Sequence, residues 1–288
     1  MSGKLVVVGT PIGNLSDFSP RGVQALSDAD FIAAEDTRVT RKLLNRFGVR
    51  KPLICYFEHN KYARGEEICA RMEAGETCAL VSDAGMPAIS DPGETLVAQC
   101  AERNIPVFVV PGPSAVVSAL AVSGLPTGRF TFEGFLSVSK KGRREHLAGL
   151  KDEHRTMVFY EAPHKLAGTL ADLLSALGDR RVSIVRELTK IHEEVIRTTL
   201  SEAAERYADG SARGEFVLVV EGAPHAAAEP AAEQDAVALG REYLAQGFSA
   251  SEAAKRAASE TGRKKHEIYK ELTQDAVGKE RGCREKGN

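Results

Sequence analysis

Three segments of this chain gather glycine, proline and small polar residues directly after apolar runs. They are Gly9-Thr10-Pro11-Ile12-Gly13-Asn14-Leu15, Ser82 to Gly93 (SDAGMPAISDPG) and Pro111-Gly112-Pro113-Ser114-Ala115. Such composition exposes backbone N–H and C=O groups and lets a ligand approach the chain closely. The second segment holds two Gly, two Pro and two Asp in twelve residues, so it continues neither a helix nor a central strand. Loops of that length without structure of their own are usually functional. Taken singly, each has a plain structural reading: a turn, a long loop in which Asp91-Pro92 opens the next helix, and an N-cap at Ser114. The first is not G-x-G-x-x-G, and no G-x-x-x-x-G-K-[ST] occurs, so a dinucleotide or P-loop site is poorly supported.

Four polar clusters also follow apolar runs: Glu35-Asp36-Thr37-Arg38, Phe57-Glu58-His59-Asn60, Tyr160-Glu161-Ala162-Pro163-His164 and Arg186-Glu187-Leu188-Thr189-Lys190. Each alone reads as a solvated helix start, with acidic residues favouring the dipole. Their shared position at strand ends is what points to one polar cleft. No His or carboxylate spacing suggests a metal cage, and no G-x-S-x-G elbow supports a hydrolase. The five cysteines (Cys55, Cys69, Cys78, Cys100, Cys283) include no C-x-x-C pair and read as reduced thiols of a cytosolic protein.

The elements that must position these loops are an alternation of short strands and helices. A first set of strands is expected at Lys4–Gly9, Asp30–Ala34, Leu53–Tyr56, Cys78–Ser82 and Pro106–Val110, with helices at Arg38–Phe47, Arg64–Ala74 and Gly93–Arg103. That rhythm describes an open, mostly parallel α/β sheet. A second set, at Arg129–Glu133, Thr156–Tyr160, Arg181–Val185, Glu194–Thr199 and Glu215–Val220, has closer spacing and predicts a mixed sheet. The Gly124–Gly128 cluster marks the joint, giving α/β domains at 1–124 and 125–222. Residues 223–234 read as an Ala/Pro/Glu linker, and 235–288 as a small helical domain of helix-turn-helix type, with a capping box at Ser249 and Glu252. With 288 residues, 43% hydrophobic and 27% charged, the chain can build real cores. A net charge of −2 argues against bulk electrostatic binding to nucleic acid but not against a local basic patch. The run Leu5–Val8 is too short to cross a membrane, so no membrane partner is expected.

Taken in order, GTPIGNL, AEDTR, VSDAGMPAISDPG, PGPSA, EGF, EAPH, RELTK and GEFVLVVEG resemble the tetrapyrrole methylase superfamily of S-adenosylmethionine enzymes. Within it they are most similar to the branch that methylates a cytidine ribose 2′-hydroxyl in 16S ribosomal RNA. Any one motif is weak; the ordered set, from about Lys4 to Gly222, is specific. The resemblance implies S-adenosylmethionine bound between two α/β halves, a cytoplasmic homodimer, and the 30S subunit as partner. Carried over, the donor pocket would comprise Pro11, Asp83, Gly85, Pro87, Ile89, Ser114, Ala115, Tyr160, Glu161, Leu188 and Gly214. One departure is Lys165 after EAPH, where the pattern often has Arg; lysine keeps the charge but loses bidentate phosphate geometry.

Transfer to a ribose hydroxyl needs in-line placement and a proton acceptor. Glu35, Asp36, His59, Glu133, Glu187 and Lys190 are the candidates, with Arg38 and Arg186 to orient RNA phosphates or neighbouring carboxylates. Two basic regions fit an RNA substrate: Lys140-Lys141-Gly142-Arg143-Arg144, read as a loop, and residues 255–286, with ten Lys/Arg against six Asp/Glu. Two rival readings are a tetrapyrrole carbon methyltransferase on the same fold and a non-catalytic ribosome-assembly factor that retains a donor pocket.

Overall fold

The computed structural model describes residues 3–224 and 236–282. The expected linker beyond Pro224 and Cys283 lie outside the described residues. The first sheet contains β1 (Lys4–Val8), β2 (Phe31–Ala34), β3 (Leu53–Cys55), β4 (Thr77–Val81) and β5 (Val107–Val110), all parallel, in the order β3-β2-β4-β1-β5. Its central strands are continuous apolar runs because both faces are covered. Leu5 and Val7 point to one face, with Ile68 and Met72 of α3 (Lys61–Glu73) and Leu96 of α4 (Gly93–Glu102). Val6 and Val8 point to the other, with Leu26 of α1 (Pro20–Asp28) and Leu44 of α2 (Thr37–Arg46). Helix α1 falls outside the periodic segments read from sequence; its signal is local, since the Ser19 hydroxyl accepts the Gly22 N–H at 3.0 Å and Pro20 takes the first turn.

The second sheet is mixed, in the order β6 (Phe130–Phe135), β7 (Thr156–Glu161), β10 (Phe216–Val220), β8 (Arg181–Arg186), β9 (Glu194–Thr199). Only β6 and β7 run parallel; the other pairs are antiparallel. Helix α5 (Ala115–Ser123) leaves the first sheet through β5 but buries Val116, Ala119 and Leu120 against Val158, Val185 and Val217 of the second. Arg197 of β9 donates to the carbonyls of Ser123 and Val122, at 3.1 and 2.5 Å, closing the end of that helix. The opposite face is covered by α6 (Lys140–Gly149), α7 (Leu166–Leu177) and α8 (Leu200–Arg206). Residues 140–144 are therefore the first turns of a helix rather than a loop, and Arg143 is engaged by Asp172 and Thr169 at 2.5 and 2.8 Å. Both sheets belong to one compact unit, Met1–Ala223.

The residues from Pro224 form a second unit. It contains α9 (Ala236–Ala245), α10 (Ala250–Thr261) and α11 (Lys265–Gly282), packed on Val237, Ala253, Ala257, Ile268 and Leu272. Ser249 caps α10 by accepting the Glu252 N–H at 3.3 Å, and Gly262 ends it in the left-handed conformation. No helix among the described residues is long and apolar enough to cross a membrane.

Candidate functional site

Because the first sheet is parallel, the loops after β1, β4 and β5 emerge on one side, and these strands are neighbours. That is why three segments far apart in sequence meet. Thr10 N–H donates to the Gly85 carbonyl at 2.9 Å, and Gly85 N–H returns to Thr10 at 3.2 Å. A Cβ on Gly9 would lie 2.7 Å from the Gly112 Cα, so the first and third loops touch backbone to backbone. In the long loop, Gly85, Ala88 and Ser90 all have positive φ. The Asp91 carboxylate holds the turn by accepting the N–H groups of Ala88 and Gly93, at 3.0 and 2.8 Å.

The opposing wall comes from strand ends of the second sheet. Tyr160 packs edge-on against Phe132, with centroids 4.9 Å apart, and burial raises its phenol pKa. Glu161 is buried, accepting the Thr169 hydroxyl and, at 2.8 Å, the Ala162 N–H. Leu188 sits between Glu187 and Thr189, both with positive φ. Lys190 bridges Glu187 and Glu215 at 2.9 Å each, and a Cβ on Gly13 would fall 2.5 Å from its side chain. The first loop thus presses on RELTK, closing a cleft of about 660 Å³ between the two sheets.

The charge of this cleft is one-sided. Glu35, Asp83, Asp91, Glu161 and Glu215 line it together with His164; among the described residues no Lys or Arg does, though Lys190 pairs with Glu215 from the rim. Glu35 has a raised pKa, first because burial strips its water and then because Asp83 and Asp91 repel its negative form. Burial likewise raises Asp91. The remaining walls are apolar, from Ile12, Met86, Ile89, Ala115, Leu188 and Val217. Such a site suits a ligand with an apolar or aromatic body and positive charge, and disfavours phosphates.

Of the donor residues expected from sequence, Asp83, Gly85, Ile89, Ser114, Ala115, Tyr160, Glu161 and Leu188 line the cleft. Pro11 lies between Thr10 and cleft-lining Ile12, Pro87 is buried beneath the long loop, and Gly214 packs on Glu187, whose Cγ would be 2.6 Å from an added Cβ. Of the catalytic candidates, only Glu35 lines it. Asp36 caps α2 and pairs with Arg38 at 2.6 Å. His59 is exposed beside Phe57, and Glu133 is paired with His146 at 2.9 Å. Arg186 donates to the Arg213 carbonyl at 2.7 Å, while Glu187 and Lys190 form the rim network with cleft-lining Glu215. Phe135, Val185 and Glu215 to Val217 were not anticipated. Phe135 belongs to the EGF run and residues 215–217 to GEFVLVVEG, so membership of a motif was their sequence signal, while Val185 had none beyond its strand.

Residues 4–204 match the family model for tetrapyrrole (corrin/porphyrin) methylases. A Synechocystis protein called ribosomal RNA small subunit methyltransferase I is 46% identical over 268 residues, covering 93% of this chain and 96% of the relative. A Thermotoga maritima protein of the same name is 49% identical over 220 residues, which cover 76% of this chain and 99% of that one. Among solved structures, a Thermus thermophilus uroporphyrin-III C-methyltransferase complexed with S-adenyl homocysteine superposes with a TM-score of 0.52 at 20% identity, covering 76% of this chain and 97% of the other.

Proposed function

Because the chain belongs to the tetrapyrrole methylase family, we propose that it transfers a methyl group from S-adenosylmethionine to a cytidine ribose 2′-hydroxyl in 16S ribosomal RNA, on the 30S subunit in the cytoplasm. The carrying observation is the cleft with five carboxylate side chains and no Lys or Arg. S-adenosylmethionine combines an adenosine body with a sulfonium, an ammonium and one carboxylate, a net positive charge, so both the apolar walls and the acidic field fit it better than they fit a polyphosphate. NAD and ATP bring phosphates that the same field repels. When bound, the donor supplies an activated methyl group on a good leaving group. Asp83, Ile89, Ser114, Ala115, Tyr160 and Leu188 would hold it against the Gly85 turn, which brings backbone close without a side chain in the way.

Placement of the hydroxyl in line with the methyl group supplies most of the rate, roughly 7–11 kcal/mol where the geometry is good. Glu35 is our candidate acceptor of the hydroxyl proton, as the one catalytic candidate lining the cleft. Its raised pKa makes it a stronger base than an ordinary carboxylate, and general-base help is typically worth ~10²–10⁴-fold. A tetrapyrrole substrate is supported only by membership of the broad family and by an enzyme at 20% identity, whereas the relatives at 46% and 49% identity carry the ribosomal RNA name.

A homodimer is part of the same reading. The edge strand β5 leaves Phe108 and Val109 57% and 55% exposed, and α5 leaves Val117 59% exposed, an apolar surface that an ordinary monomer covers. Phe108→Glu should shift sedimentation toward the monomer. The function itself is tested first by calorimetry with S-adenosylmethionine, NAD and ATP. Binding of the first and not of the phosphate-bearing ligands is expected; the reverse preference would overturn the reading.

A further inference from the structure

A cleft that repels phosphate cannot itself grip the backbone of the strand whose ribose enters it. The cations needed start beside it and run away along α2, with Arg46, Arg50 and Lys51 reaching the opposite edge of the parallel sheet. From Thr37 to Phe57 the chain carries Arg38, Arg41, Lys42, Arg46, Arg50 and Lys51 and no Asp or Glu, in a protein of net charge −2. All but half-buried Lys51 are exposed. Arg38 pairs with Asp36 at 2.6 Å; among the described residues the other five make no ion pair. That differs from a solvated helix face of mixed charge, such as α6, where Arg143 is engaged by Asp172 and Lys141 by Glu145.

The placement fits a strand leaving the cleft. Helix α2 begins at Thr37, two residues after cleft-lining Glu35, and extends ~15 Å at 1.5 Å per residue. Arg38, Lys42 and Arg46 recur every fourth residue and share one face. Between the last turns of the helix and β3, Arg41, Arg50 and Lys51 border a depression of about 520 Å³, with Val49 and Leu53 among its apolar lining. Cationic side chains around apolar lining suit a nucleotide, phosphate outward and sugar or base inward.

We propose that α2 and the α2–β3 turn form an RNA-binding surface that holds backbone phosphates of the strand as it runs from the cleft toward the opposite edge of the first sheet. This deepens the RNA reading above and rests on it. Phosphate contacts release counterions, so each should add ~0.7 to the slope of log affinity against log salt for single-stranded RNA.

The test is a chain carrying Arg46→Glu, Arg50→Glu and Lys51→Glu, compared with wild type for binding to 16S ribosomal RNA and to 30S subunits over a salt series. Donor affinity and melting temperature are measured alongside. The expected result is a salt slope shallower by roughly 2 and affinity reduced about a hundred-fold at ~0.1 M salt, three contacts at ~0.7 log units each. Donor affinity should not move. An unchanged slope and affinity overturns the surface. So does lost 30S affinity with an unchanged slope, which would assign α2 to a ribosomal protein instead. If wild type binds S-adenosylmethionine but neither methylates nor binds ribosomal RNA, the RNA reading itself falls and takes this inference with it.

Discussion

The carboxylate of Asp83 accepts the backbone N–H of Asp36 at 3.0 Å. One residue of the long cleft loop thereby braces the start of α2. Asp36 in turn caps that helix through the Arg38 N–H at 2.8 Å, and the Arg38 guanidinium holds its carboxyl at about 2. The acidic cleft and the basic helix are therefore built on one hydrogen-bonded chain, Asp83 to Asp36 to Arg38.

Substitutions at Asp83 should separate the brace from the charge. Asp83→Asn keeps a carbonyl that can accept the Asp36 N–H, so its melting temperature should stay near wild type while S-adenosylmethionine affinity falls about tenfold, the loss of one charged contact worth ~1.5 kcal/mol. Asp83→Ala removes both functions and should also lower stability by about 1 kcal/mol. Thermal melts with calorimetry check this. Equal stability loss in both variants would show that Asp83 acts through charge in the fold rather than through the brace.

The acidic cleft makes donor affinity depend on pH. Burial and the neighbouring Asp83 and Asp91 raise the pKa of Glu35 in the free site, so it holds its proton to higher pH than an unperturbed glutamate does. A sulfonium cation binds the ionised form better. Affinity should therefore fall as pH drops through that raised value and be complete above it. S-adenosylhomocysteine, without the sulfonium charge, should show less of this dependence. Titrations at about pH 5 and about pH 8, spanning the interval just above the ordinary carboxylate pKa, should give a preference for the charged ligand that shrinks at acid pH. In Glu35→Gln this pH dependence should become weaker, leaving the part that the buried Asp91 contributes. Identical pH profiles for both ligands in wild type would remove the electrostatic role.

Two glycines should fail differently. Gly85 has φ +83, and a Cβ there would meet Ile12 at 3.2 Å in the cleft, so Gly85→Ala should cost about 1–2 kcal/mol in left-handed strain and impair donor binding. Gly85→Val should abolish binding. At Gly112 a Cβ would press on the Gly9 backbone at 2.8 Å, which no side-chain rotation relieves, so Gly112→Ala should lose more stability than Gly85→Ala. Chemical denaturation ranks the two; wild-type donor affinity in folded Gly85→Val would move the pocket elsewhere.

Much of this was legible in the chain because strand ends and loops are local signals. Six of the eight ordered motifs fell at carboxyl ends of strands, EGF and GEFVLVVEG lying on β6 and β10, and eight of the eleven donor candidates line the cleft. The catalytic candidates were less legible, because being polar and near a strand end does not distinguish a residue facing the cleft, such as Glu35, from one turned to a partner, such as Glu133 on His146. Asp83 read as a ligand contact, and its brace to Asp36 needed tertiary structure, since 47 residues separate the two. The basic run at residues 140–144 was visible, but the engagement of Arg143 by Asp172 was not. The larger imbalance along α2 was written in the sequence and passed unremarked because it sits within an ordinary amphipathic helix.

The helical unit offers a further test of RNA binding. Arg263 is already paired with Glu271 at 2.6 Å and Glu267 at 3.8 Å, so its charge is spent locally. Lys264 and Lys265 remain the better probes. Reversing both to Glu should lower the salt slope for RNA by roughly 1.4, two contacts at ~0.7 each. A chain ending at Pro224, which keeps the Ala223 N–H to Glu153 hydrogen bond, should still fold and bind S-adenosylmethionine, since Met1–Ala223 is a compact unit. Loss of donor binding on that truncation would show that the helical unit completes the cleft.

Methyl transfer to bare 30S subunits from a strain lacking the modification is the most direct measurement. With labelled S-adenosylmethionine, the 16S ribosomal RNA should gain one methyl group per subunit, recovered after nuclease digestion as a ribose-methylated cytidine, and Glu35→Gln should slow the reaction ~10²–10⁴-fold at saturating donor. Label on a base, transfer only to a tetrapyrrole, or donor binding with no transfer to any ribosomal RNA would contradict the assignment.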